Sequence, residues 1–194
     1  MTDLDVLNKL LSTLGEAPLQ DLDEEHPLVP AAKRQMVSTL HIELARGWWF
    51  NRETITLFPS PDTGFIYVPS DVLSIDSVNT THTLVQRGSR LYNVNTSSYV
   101  ISKEIRAALV RSIPFDDIPH NAQNLVAAEA TVRFNLDYEG DRQKLEEAKA
   151  EARMARIELG REEIRNAAVN LFRRPSTAII LNRIAGAANR TRSF

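Results

Sequence analysis

The chain has 194 residues, 43% of them apolar and 25% charged, with a formal net charge of −2 and no cysteine. That length suits one substantial domain, or a domain with an inserted unit, and the missing cysteines exclude disulfides, thiolate nucleophiles and cysteine zinc sites. No apolar run approaches the roughly 18 residues of a membrane span, and "MTDLDVLNKLL" lacks a basic-then-apolar leader, so the expectation is a soluble protein made in the cytoplasm without a membrane partner.

Leu4, Leu7, Leu11 and Leu14 recur at three-and-four spacing, with Leu10 widening the stripe, and predict a first helix over 3–14. Thr2 can cap its start and Gly15 can end it. The stretch 16–26, with Pro18 and the acidic cluster Asp21, Asp23, Glu24 and Glu25, reads as an exposed loop. A second helix is expected from about 28 or 31 to 46, with Ala32, Met36, Leu40 and Leu44 along one face and Gly47 as its stop.

Trp48, Trp49 and Phe50 follow that glycine directly, and behind them the hydrophobic period changes from helical to alternating, as in Thr54-Ile55-Thr56-Leu57. Adjacent rings at such a switch must point in different directions. The three are therefore read as the core of a joint, one ring packing into a helical core while another seals a β unit against it. Neither a ligand platform nor a membrane anchor fits, because no convergent polar groups and no amphipathic basic helix accompany them.

Short β-favouring runs come next: "ETITLF", "GFIYV", "VLSIDSV", "TLVQRGSRLYNV" and "SYVI". Gly88 marks a hairpin turn, and Pro59, Pro61 and Pro69 confine their neighbours to edges and connections. "EIRAALVRSI" suits a helix through Ala107 and Ala108 or a bulged strand through Ile105, Leu109 and Ile113; it is read as a strand because Pro114, Asp116 and Asp117 follow so soon. Helix returns at Pro119, with one stripe of Leu125, Ala128, Val132 and Leu136 and another of Val126, Ala130 and Phe134, which predicts the most buried helix of the protein. Gly140 can end it and Asp141 can cap the next, which runs to about 166 with Leu145, Ala148, Ala152, Ala155 and Leu159 at heptad-like spacing and dense alternating charge opposite.

The expected fold class is α+β: a bundle of about four helices from 1–50 and 114–166, an inserted antiparallel β unit over 51–113, and an extended C-terminal tail over 167–194. That tail contains no acidic residue and five arginines, so an acidic body of about −7 carries a basic end of about +5. It is also apolar, through Leu171, Phe172, Ile179, Ile180, Leu181 and Ile184. Such a segment can bury itself against a protein partner or pack on its own domain.

Little points to catalysis. His26, His41, His82 and His120 lack metal-ligand spacing, and the seven glycines are too scattered for a phosphate loop or dinucleotide fingerprint, so no metal or cofactor is expected. Carboxylate pairs such as Asp116 with Asp117 could in principle hydrolyse a glycan. Capping the helix behind Pro119 or solvating a turn is the simpler role, and the chain is read as a non-enzyme.

In order and spacing the chain resembles the tail tubular protein A family, the head-to-tail adaptor or gatekeeper of short-tailed, podovirus-type bacteriophages. "VLNKLLSTLGEAPLQDLD", "ARGWWFNRETITLFP", "GFIYVPSDVLSIDSV" and "RSIPFDDIPHNAQNLVAAEATVRF" carry the likeness, which covers about residues 4–165. The resemblance implies a structural virion protein of the tail or neck: a dodecameric ring beneath the portal, meeting the tubular nozzle protein on its other face, with DNA leaving through the channel. It also implies a C-terminal segment that embraces the portal, here with Leu171, Phe172, Arg173, Arg174, Ile179, Leu181, Arg183, Ile184, Arg190, Arg192 and Phe194 as docking residues. The alternatives are a carboxylate-dependent glycan hydrolase and a different neck or head-completion protein.

Overall fold

Thr2 opens the first helix through both halves of a capping box. Its hydroxyl accepts from the Asp5 N–H at 3.2 Å, and the Asp5 carboxylate accepts from the Thr2 N–H at 2.8 Å. A computed structural model describes residues 1–78 and 83–172, and in it this helix, α1, spans Asp3–Ser12. Val6, Leu7, Leu10 and Leu11 are fully buried on one side of it. The second helix, α2 (Val29–Leu44), buries the predicted face of Ala32, Met36, Leu40 and Leu44. Gly47 turns the chain with φ +72°, and a Cβ there would lie 3.0 Å from Val110 Cγ2, so both the backbone angle and the space call for glycine.

Behind the aromatic triplet come β1 (Arg52–Leu57), β2 (Val72–Ser77), β3 (Leu84–Arg87), β4 (Arg90–Asn93) and β5 (Ile105–Arg111). β5 is the centre of an antiparallel sheet of order β1-β5-β2, which decides "EIRAALVRSI" as a strand. The register irregularity lies in its partner, between Val72 and Ser74. β3 and β4 form the hairpin expected at Gly88, with Arg87 opposite Arg90. "GFIYV" and "SYVI" depart from expectation: instead of strands they contribute the single bridges Phe65 to Val100, Tyr67 to Arg90 and Asn93 to Ser98. Prolines at 59, 61 and 69 flank the first run and withhold ladder donors, which accounts for the interruption. The alternate side chains still face inward, since Ile66, Val68, Leu91, Ile101, Ile105, Ala107 and Leu109 make a buried cluster of their own.

A 3-10 turn at Phe115–Asp117 leads into α3 (His120–Asp137). Leu125, Val126, Ala127, Ala128, Ala130 and Phe134 are all within 1% of complete burial. The stripe ends sooner than its sequence suggests: Leu136, expected on it, is 55% exposed. Glu139 takes the left-handed conformation that closes this helix, at φ +49°. Gly140 serves a different purpose, because a Cβ there would stand 2.6 Å from Asn135 Nδ2 and 2.9 Å from Leu14 Cδ2.

Asp141 caps α4 (Arg142–Phe172), its Oδ1 accepting from the Gln143 and Lys144 N–H groups at 2.7 and 3.0 Å. Ala148, Ala152 and Leu159 of the predicted seam are buried, with Leu145 and Ala155 half-buried beside them. α4 continues well past residue 166; its 31 residues span about 46 Å. Its first six residues beyond 166 fall in the stretch read as tail. Among the described residues the fold is thus α+β, four helices around one buried cluster with small antiparallel sheets around another. Among the described residues no helix is long and apolar enough to cross a membrane.

Candidate functional site

The joint between the helices and the β strands is held by a set of specific hydrogen bonds. Trp48, Trp49 and Phe50 are each half-buried, and all three pack against the helical core. None is among the side chains packed on the β core, so the expected division of rings between the two sides is not what forms. Trp49 meets Phe50 edge-on at 5.1 Å, and Trp48 Nε1 donates to the Glu43 carbonyl at 3.0 Å.

The residue that crosses to the strands is Asn51, only 1% exposed. Its Nδ2 donates to the Leu44 carbonyl at 2.9 Å and to the Arg111 carbonyl at 2.8 Å, while its Oδ1 accepts from the Trp48 N–H at 2.8 Å. One side chain therefore joins the end of α2, the aromatic turn and β5. Every bonding group of the amide is used, which is what burial of so polar a group requires. Glu163 of α4 closes the same place from outside, accepting from the Trp49 N–H at 2.8 Å and pairing with Arg52. Sequence reasoning passed over both residues. The only signal is that Asn51 sits one position beyond the rings, at the first residue of the strand period.

Two charge clusters brace the surroundings. Glu43, 2% exposed, is held through both carboxylate oxygens by Arg156 at 3.0 and 3.2 Å, with Arg46 on it at 3.0 Å. Arg156 also reaches Glu129 at 2.5 Å, so α2, α3 and α4 share one guanidinium. Hydrogen bonds to Glu43, then to Glu129, raise the Arg156 pKa above its ordinary value, and the charge is permanent. On the sheet, Arg111 binds Glu53 at 2.7 Å and Asp71 at 2.6 Å, tying β1 and the approach to β2 onto β5. Its pKa is raised, first by the bond to Glu53 and then by that to Asp71. Asp71 is shifted down by the Arg111 hydrogen bond.

The carboxylates considered for hydrolysis, Asp116 and Asp117, are both exposed on the 3-10 turn. Asp116 acts on Asp3, whose pKa is raised by burial first and by that neighbouring charge second. Among the described residues no group of three acidic or histidine side chains is placed to hold a metal ion. Of the docking residues, Leu171 and Phe172 lie in the last turn of α4. Arg173, Arg174, Ile179, Leu181, Arg183, Ile184, Arg190, Arg192 and Phe194 fall outside the described residues.

What α4 does present is a second apolar line. Met154, Ile157 and Ile164 are 57%, 43% and 70% exposed. At 100° per residue they stand opposite the buried Ala148, Ala152 and Leu159, so the helix has an apolar seam on its outer side as well. Dense charge hides this line in the sequence.

A helical bundle with strands inserted behind "GWWFN" and a long last helix is the layout that the described residues form. The family described as "Tail tubular protein" matches residues 4–169. The chain belongs to the tail tubular protein family. Tail tubular protein A of Klebsiella phage KP34 is 26% identical over 166 residues, covering 86% of this chain and 89% of that protein. Tail tubular proteins are structural, not enzymatic, so the glycan hydrolase alternative falls and the chain is a structural component of a phage tail.

Proposed function

We propose that this tail tubular protein is the adaptor between head and tail: a subunit that closes into a ring, a dodecamer by family resemblance, seated under the portal and facing the tubular nozzle protein. DNA passes through the ring transiently and without sequence preference, in keeping with an acidic body that does not grip phosphate. In this reading the helical part (1–50 and 114–166) and the β unit (51–113) form the ring wall, and 167–194 docks on the portal. The subunit is made in the host cytoplasm and ends in the neck of the virion.

The observation that carries the reading is α4. About 46 Å of helix exceeds what a core of this size needs, and its outward apolar line of Met154, Ile157 and Ile164 is left uncovered by the described residues. A cyclic ring requires two different, complementary faces on each copy, and such a helix can supply one.

Mixing the purified protein with its portal should give a ring-on-ring complex in electron micrographs. A protein that stays monomeric and ignores the portal sinks the proposal. Deleting 173–194 leaves α4 whole and should abolish portal attachment while the melting transition stays in place; normal attachment by the shortened chain refutes the docking role of 173–194.

A further inference from the structure

The hairpin of β3 and β4 carries arginines laid over aromatic rings. The Arg87 guanidinium is 3.7 Å from the centre of the Tyr92 ring, and that of Arg90 is 4.5 Å from Tyr99 and 5.2 Å from Phe65. Tyr92 and Tyr99 meet edge to face at 5.0 Å, and Tyr67, bridged to Arg90, is 52% exposed. Neither arginine has a carboxylate partner among the described residues. Rings that hold a guanidinium in place reduce the side-chain entropy lost when it meets an acid, so this surface is prearranged for a carboxylate-bearing partner.

The loop before α2 offers the opposite charge. Asp21, Asp23, Glu24 and Glu25 are all exposed, and none forms an ion pair among the described residues. Beside them opens a groove of about 500 Å³ walled by Glu24, Glu25, Pro27 and Pro30. The loop leads into the N-terminal end of α2, whereas the β unit is bonded to its C-terminal end through Asn51 and the Leu44 carbonyl. Sixteen helical residues put about 24 Å between those ends. Among the described residues the two complementary patches form no ion pair with each other.

We propose that the arginine and aromatic face of the β3–β4 hairpin docks on the acidic 21–25 loop of the neighbouring copy in the ring. The contact is heterologous: each subunit gives its hairpin to one neighbour and its loop to the other, the arrangement that generates a closed ring. This inference rests on the ring reading above.

Charge exchange in the full-length protein tests it, with sedimentation velocity as the measurement. Arg87→Glu alone, and Glu24→Lys with Glu25→Lys alone, should each raise the concentration needed for assembly by about tenfold or more, and the wild-type ring should loosen with added salt. All three changes in one chain restore opposite charges across the contact and should recover assembly. Unaltered melting curves for the separate variants show that folding is not the cause; should Arg87→Glu unfold, Arg87→Gln keeps the stem over Tyr92 and should weaken assembly in the same direction. A ring that forms normally in the single-side variants, or a triple variant that stays apart, overturns the contact. So does loss of single-stranded DNA binding in Arg87→Glu with the ring intact, which would assign the face to nucleic acid. A wild-type protein that never assembles removes the ring reading itself, a result distinct from all of these.

Discussion

The helical core and the β core are built from similar apolar residues and reach their stability by different means. Around the helices, most of the buried side chains recur at three-and-four spacing, and α3 is enclosed on most of its girth. In the β unit the three-stranded sheet is regular, but the segments around Phe65, Tyr67 and Ser98 touch their neighbours through single bridges. Side-chain bonds do more of the holding there: Arg111 on Glu53 and Asp71, and Asn51 on Arg111. A core made by periodic burial leans on few polar contacts, the buried Glu43–Arg156 pair being its exception, while a unit attached through a few polar groups depends on them individually.

Three substitutions put this contrast to the test. Phe134→Ala, at a position with no exposure, should cost about 3 to 5 kcal/mol and lower the melting temperature of the whole protein. Asn51→Ala removes the side-chain bonds to the Arg111 carbonyl and the Trp48 N–H and leaves the Leu44 carbonyl only its bond from the Gly47 N–H, a loss of about 2 to 3 kcal/mol. Its signature is local: amide exchange in β1 and β5 should speed up while α1 and α3 stay protected. Trp49→Ala removes a half-buried ring yet keeps the N–H that bonds Glu163, and should cost about 1 to 2 kcal/mol. If Trp49→Ala proves worse than Asn51→Ala, the rings and not the amide hold the halves together, and the contrast between the two cores is wrong.

The helices were legible because burial imposes a period and capping imposes a residue type, as Thr2 and Asp141 show. The strands were legible as a group, and β5 was placed by the turn residues that follow it. Interruption of the runs at 64–68 and 98–101 was not, since alternation gives the face of a residue and says nothing of whether a neighbour's backbone is in register. At the joint, bulk misled: large rings suggested a two-sided plug, whereas the connection is made by hydrogen bonds whose partners lie 7 and 60 residues from Asn51. The Glu43, Glu129 and Arg156 cluster was equally hidden, for pairing across three helices has no sequence spacing to read. The outward line of Met154, Ile157 and Ile164 lay in plain view and was masked only by the charges between its members.

The smallest effect belongs to the surface of the sheet, and pH isolates it. The Arg111 hydrogen bond at 2.6 Å holds the Asp71 pKa below its ordinary value of 3.8. A depressed carboxylate contributes stability that is present above its unfolded pKa and is lost as pH falls through the folded one. Asp71→Asn should therefore be less stable than the parent near neutral pH, by under about 1 kcal/mol because the side chain is 46% exposed and screened by solvent. That difference should shrink below about pH 4 and vanish at stronger acid, where the parent loses the same charge; Arg111 stays protonated throughout and adds no slope of its own. Added salt should reduce the difference at neutral pH as well. A gap between the two proteins that persists unchanged into strong acid would show that Asp71 acts through packing or shape and that charge is not what fastens the approach to β2 onto β5.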